Sequence, residues 1–284
     1  MTPWAAIRKK NIHIYRLDQL KRTGTMNTTD FHKSKKEGKK LSMITCYDAT
    51  FARLIDQTDI DLILIGDSAS MVMHGESTTL PATMEWMTEH TRSVRNGTEK
   101  YIVADMPFLT TRKGIEYATD CAGHLLVAGA NCVKIEGVFG QEDVIRHLTM
   151  SGIPVMSHLG LTPQFFQAFG GHKMQGKTDA AAEKIIEEAK KAEELGCCSI
   201  VLECIPAVLA EKITDAVSIP TIGIGAGVNC DGQVLVLQDM LGMSGFRPRF
   251  VRQYLNGAEL IKNALNQYAC DVHEANFPAG DEIK

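Results

Sequence analysis

No apolar run in the sequence approaches the roughly 20 residues that a membrane-spanning helix needs, and the longest runs are strand-sized and broken by Gly, Asp or Glu. A soluble protein without a membrane partner is expected. Positive charge is not in excess either: 30 Lys and Arg stand against 34 Asp and Glu, giving a net charge of -4 and a pI near 6.1. That leaves no basic field to capture a polyphosphate, and nucleic acid is not expected as a partner. The eight cysteines contain no Cys-x-x-Cys pair, so a zinc knuckle or thioredoxin-like site has no support. Cys46, Cys132 and Cys204 fall inside apolar strand-like runs, which suggests reduced thiols in a cytoplasmic compartment. The glycine run Gly223-Ile224-Gly225-Ala226-Gly227 lacks the Gly-x-Gly-x-x-Gly spacing of a dinucleotide fingerprint. There is no internal repeat, and no linker divides the chain.

What is present is a recurrent pattern. Leu62-Ile63-Leu64-Ile65 reads as a strand buried on both faces, and it stops at Gly66-Asp67-Ser68. Four later apolar runs also finish in an ionisable group, at Asp105, Glu136, His158 and Glu203. Strand-like runs number eight, mostly alternating with helical spacing, which is the pattern of a (β/α)8 TIM barrel in the α/β class. With 284 residues, 44% hydrophobic and 23% charged, the chain suits one such domain, since these barrels run to roughly 250 residues. In parallel α/β folds the loops leaving the strands' carboxyl ends hold the active site.

Residues 1–30 are polar, without clear period and without the apolar core of a secretory signal, and are expected to form a poorly ordered arm. The first 25 are basic and poor in acids, which leaves open a transit peptide or a start at Met26. Residues 31–284 are expected to form a single barrel domain with a C-terminal helical tail. The lysine-rich stretch from Phe31 to Lys40 reads as a solvated helix face or turn before the first strand. Two long segments, 69–83 and 159–178, exceed plain connectors and suggest functional loops over the site mouth. Asp179 is expected to cap the helix that follows the second.

Asp67, Asp105 and Glu136 close three different strands, so on a barrel they face a common point. Hard carboxylate oxygens there suit Mg²⁺, which keeps several waters and takes the rest of its octahedron from a few carboxylates and the substrate. Capping of the following helices is the alternative for any one of them. Glu203, between Ile200-Val201-Leu202 and Cys204-Ile205-Pro206, is a candidate general base activated by desolvation, or else a buried ion-pair partner. Lys134 shares a strand face with Glu136. It is suited to hold a carboxylate or enolate, to form a Schiff base, or to bridge Glu136 or a neighbouring acid. His158 reads as a ligand, a hydrogen-bond donor or a satisfied core histidine, and Ser68 as a site group or a helix cap.

At these residues the sequence resembles the ketopantoate hydroxymethyltransferase family. The resemblance runs from about Phe31 to Tyr254, through Thr45-Cys46-Tyr47-Asp48, Gly66-Asp67-Ser68, Ala104-Asp105-Met106-Pro107-Phe108, Lys134-Ile135-Glu136-Gly137, His158-Leu159-Gly160-Leu161-Thr162-Pro163-Gln164 and Leu202-Glu203-Cys204-Ile205-Pro206. It implies a barrel of the phosphoenolpyruvate/pyruvate type, one Mg²⁺ per subunit and 5,10-methylenetetrahydrofolate as co-substrate to a 2-oxo acid. By the same resemblance Asp67 and Asp105 are direct metal ligands, and Glu136 approaches the metal directly or through water. Ser68 and Lys134 hold the 2-oxo acid, His158 stands beside the reacting centre, and Glu203 is the base. A homo-oligomer, usually a decamer, is also implied. Ala69-Ser70 and Ser77 depart from the family pattern, so the folate contacts do not transfer. A folate-independent carbon-carbon lyase or mutase of the same superfamily shares the metal acids and is the competing expectation. A non-catalytic barrel ranks last, because no metal acid or base is missing.

Overall fold

The computed structural model describes residues 26–245, 248–280 and 282. Most of the stretch assigned to a poorly ordered arm, residues 1–25, lies outside these. Eight parallel strands close into a barrel in simple sequence order. They are β1 (Leu41–Thr45), β2 (Leu62–Ile65), β3 (Tyr101–Asp105), β4 (Cys132–Glu136), β5 (Val155–Gly160), β6 (Ser199–Glu203), β7 (Thr221–Ile224) and β8 (Gly232–Leu235). The helices are α1 (Thr28–Lys36), α2 (Ala49–Asp56), the short α3 (Ala69–Val72), α4 (Met84–Arg95), α5 (Ile115–Ala128) and α6 (Glu142–Met150). They continue with the short α7 (Phe166–Phe169), then α8 (Asp179–Glu194), α9 (Ala207–Ala216), the short α10 (Leu237–Met240) and α11 (Gly257–His273). No helix among the described residues is long and apolar enough to cross a membrane.

Period-2 alternation sorts each strand into two faces. Ile63, Ile65, Ile102, Ala104, Val133 and Ile135 belong to the core between barrel and helices. Their neighbours Leu62, Leu64, Tyr101, Val103 and Cys132 fill the barrel interior. Followed along the interior face, this second set runs from apolar side chains at the amino ends to ionisable ones at the carboxyl ends. Tyr101 and Val103 lead to Asp105, and Cys132 leads to Lys134 and Glu136. One alternation therefore builds a dry floor beneath a polar top.

Three local expectations are corrected. The lysine-rich stretch is a helix, as one reading had it, but it is not simply solvated. Phe31 is fully buried in the interior cluster, edge-on to Tyr101 at 5.2 Å. Lys35 Nζ donates to the carbonyl oxygens of Thr214 (2.7 Å) and Ile219 (3.1 Å) and pairs with Asp231 (3.0 Å). α1 thus closes the barrel floor, and it begins before residue 31, with Asn27 as its cap. α8 is capped by Thr178, whose hydroxyl accepts from the Ala181 N–H, and Asp179 is its first residue. The loop after β2 contains α3, and no helix separates β7 from β8.

Candidate active site

The strand register decides which ionisable groups meet. Asp105 on β3 lies opposite Lys134 on β4, Glu136 on β4 opposite His158 on β5, and Gly160 on β5 opposite Glu203 on β6. Lys134 Nζ accordingly sits 3.1 Å from Asp105 Oδ1, so the acid it bridges is Asp105 and not Glu136. His158 Nδ1 faces both Lys134 Nζ at 3.1 Å and Glu136 Oε1 at 3.4 Å, and its Nε2 lies 3.1 Å from Glu203 Oε2. Asp67, beyond the end of β2, donates its backbone N–H to Asp105 Oδ2 at 2.9 Å. Asp67, Asp105, Lys134, Glu136 and His158 are each no more than 5% exposed.

All seven predicted residues line one cavity of about 760 Å³ at the carboxyl ends of the strands. Ser68 begins α3 without a capping bond from its side chain, and its hydroxyl instead meets the Tyr47 hydroxyl at 2.8 Å. Glu203 stands half-buried at the rim and is not enclosed by its sequence neighbours, because Leu202 and Ile205 turn into the outer core. Its close ionisable neighbour is His158.

Burial raises the Asp67 carboxyl well above its ordinary value, and the charges of Asp105 and Glu136 push the same way. Asp105 is raised by burial, against the pull of Lys134. Burial lowers the Lys134 ammonium, but Asp105, Glu136 and Asp67 together outweigh it and hold the group above its usual value. An ammonium held protonated beside three acids is suited to act as a cation toward a bound anion. Burial and the Lys134 charge both lower His158, yet its bonds to Glu136 and Glu203 prevail and hold it at about 9.

Buried carboxylates therefore outnumber buried cations, an imbalance that a divalent ion would relieve. Among the described residues no group of three His, Cys, Asp or Glu side chains is placed to hold a metal ion. Mg²⁺ does not need one, since it keeps waters and uses one or two carboxylates. Asp67 and Asp105, joined by the 2.9 Å bond from the Asp67 N–H to Asp105 Oδ2, supply a two-carboxylate donor set that fits such an open site.

Two groups in the site were not singled out by composition or spacing. Gln164 Nε2 donates to Asp67 Oδ2 and to the Met106 carbonyl oxygen, both at 3.0 Å, while its backbone N–H donates to Glu136 Oε2 at 2.9 Å. Tyr47 positions Ser68. The only sequence signal for either was the family motif containing it, which names no role.

A closed parallel barrel with its ionisable groups gathered over the strands' carboxyl ends has the arrangement of a (β/α)8-barrel enzyme, and distant solved structures share the fold. Phosphonopyruvate hydrolase, in complex with oxalate and Mg²⁺, superposes with a TM-score of 0.59 at 11% identity, covering 90% of this chain and 93% of that one. A 2,3-dimethylmalate lyase, a PEP mutase/isocitrate lyase superfamily member, gives 0.52 at 14% identity over 73% and 80%. Within that class the chain belongs to the ketopantoate hydroxymethyltransferase family, whose profile matches residues 25–280. The 3-methyl-2-oxobutanoate hydroxymethyltransferase of Bdellovibrio bacteriovorus is 52% identical over 255 residues, 89% of this chain and 97% of the relative. That of Coxiella burnetii is 49% identical over 256 residues, 89% and 96%. The chain is thus an enzyme of the transferase class.

Proposed function

We propose that this enzyme transfers a hydroxymethyl group from 5,10-methylenetetrahydrofolate to 3-methyl-2-oxobutanoate, giving ketopantoate for pantothenate biosynthesis. The observation that carries the reading is Glu203 at the cavity rim, 3.1 Å from His158, beside a buried cluster in which one ammonium faces three carboxylates. Asp67 and Asp105 would hold Mg²⁺, with Glu136 reaching it directly or through water. Bound there, the ion supplies Lewis-acid polarisation of the substrate's keto and carboxylate oxygens.

The chain's own groups do the rest. Glu203, oriented by His158, takes the proton from C3 of the 2-oxo acid. The Lys134 ammonium stabilises the enolate that forms, and Ser68, fixed by Tyr47, helps hold the acid. The nucleophilic carbon attacks the methylene carbon of the folate, that carbon's bonds to nitrogen break, and water supplies the hydroxyl. Tetrahydrofolate leaves. The strand-end groups perform the deprotonation, so this half-reaction can be observed alone.

The test is exchange of the C3 proton of 3-methyl-2-oxobutanoate in deuterated water, followed by NMR. Exchange should require Mg²⁺ and fall by about 10²–10⁴-fold in Glu203→Gln. Full exchange by that variant would remove Glu203 from its role. A reaction that proceeds on another 2-oxo acid without tetrahydrofolate would favour the lyase or mutase instead.

Assembly into a homo-oligomer, with a decamer as the specific expectation, belongs to the same reading. It is supported by α11, where Leu260, Leu265 and Tyr268 remain more than half exposed. A reducing, cytoplasmic location is supported by eight free thiols, six of them buried.

A further inference from the structure

The cavity is larger than its polar floor requires. The cluster from Asp67 to Glu203 is sized for a small acid, whereas about 760 Å³ lies in the range that encloses a far bulkier ligand. Apolar side chains form much of the remaining wall: Met71 and Val72 of α3, Met243, Phe250 and Val251. Phe250 is closely seated beside the loop after β7. A Cβ on Gly225 would fall 3.1 Å from the Phe250 ring and 3.2 Å from Cys204 Sγ, and Gly225 adopts a φ of +63 that favours glycine.

Two carboxylates stand in this part of the wall, Glu76 and Asp239, and of the two only Asp239 is buried. Asp239, on α10 just beyond β8, is 7% exposed and lines the cavity. Among the described residues its side chain receives one hydrogen bond, from the Ser244 hydroxyl to Oδ1, and meets no Lys or Arg. Burial pushes its carboxyl above the ordinary range, and the Ser244 bond opposes this only in part. A largely buried carboxylate whose one partner among the described residues is a hydroxyl is costly to keep. The cost is offset if a ligand brings donors to it.

We propose that Asp239 recognises the pterin ring of the folate co-substrate, accepting from the 2-amino group and the adjacent ring N–H while the ring lies against the apolar wall. The inference rests on the folate reading above and adds the group that selects the ring. Those two N–H bonds are adjacent and nearly parallel, the arrangement a carboxylate's two oxygens accept together. The planar, conjugated pyrimidinone half of the ring gains by leaving water for a surface that includes Phe250. Asp239 is a binding residue in this scheme and moves no proton.

The test compares binding of tetrahydrofolate with binding of its 2-desamino analogue, by calorimetry in the presence of Mg²⁺ and 3-methyl-2-oxobutanoate. The wild-type protein should prefer tetrahydrofolate by about 10- to 100-fold, and Asp239→Asn should bring the ratio toward one. A purely structural role would weaken both ligands in proportion and leave the ratio intact. Equal binding of the two by the wild type, or an unchanged ratio in the variant, overturns the assignment while leaving the folate reading standing. Failure of the wild type to bind either ligand overturns the folate reading itself. If Asp239→Asn does not fold, Asp239→Ser supplies the same comparison of ratios.

Discussion

Replacing Lys134 with methionine removes the ammonium from the cluster and leaves its volume nearly unchanged. Asp105 then loses the partner 3.1 Å from its Oδ1, and Asp67 and Glu136 lose the positive charge that moderates their mutual repulsion. Breaking a buried ion pair by removing one partner costs about 3–5 kcal/mol, because the other charge stays buried and uncompensated. For a chain of this size each kcal/mol lowers Tm by roughly 2 °C, so the loss should be roughly 6–10 °C in a chelator at neutral pH. The pH dependence has a definite sign. Asp105 is an acid already raised by burial, and losing Lys134 raises it further in the folded state. Its protonation then contributes stability at low pH that is lost as pH rises through the folded pKa, so variant and wild type should converge in acid and diverge above it. Mg²⁺ supplies the missing charge, and the variant should gain more Tm from it than the wild type does. Calorimetry with and without Mg²⁺ across pH measures all three effects. A variant within about 2 °C of wild type in chelator at neutral pH would show that Lys134 does not compensate the buried acids, and the electrostatic account of the cluster would fail.

Gly160→Ala should slow the proposed base without replacing its side chain. Gly160 has a φ of +93, and a Cβ there would lie 2.3 Å from the Glu203 carbonyl oxygen, which also accepts from the Leu161 N–H. The strain is about 1–3 kcal/mol, and the displaced end of β6 should slow C3 exchange by about 10²-fold. A folded variant with unaltered exchange would mean that the β5–β6 junction does not set the position of Glu203. On α11, Leu265→Asp places a charge on a side chain that is 62% exposed in the single chain. Sedimentation velocity should then show smaller species than the wild type gives, and an unchanged distribution would exclude this helix from the subunit contact.

The barrel and the polar top of the site were legible because one signal served both. An apolar run that ends in an acid or a base reports a buried strand and the residue it delivers, and Asp67, Asp105, Glu136, His158 and Glu203 all follow that rule. Which groups pair was not legible. The choice of Asp105 over Glu136 by Lys134 depends on the β3–β4 register, and register is a property of two strands that are far apart in sequence. Gln164 escaped for a related reason: it reaches Asp67 across 97 positions from a loop with no periodicity. The lysine-rich stretch was misread in its surroundings and not in its helix, because the partners of Lys35 lie about 180 positions later. Thr178 and Asp179 are both good caps, and composition alone does not choose between neighbours.

The seam of the barrel carries a consequence for its synthesis. β8 pairs with β1 along four positions but with β7 along two, and only a short loop joins β7 to β8. The chain's first strand must therefore wait for its last before the cylinder can close. While the ribosome is still extending the chain, β1 presents an open edge of unpaired backbone groups, a template for association with other nascent chains. Closure over so long a separation is slow as well as late. The same seam that seals the finished enzyme is thus the point at which a growing copy most needs chaperone protection.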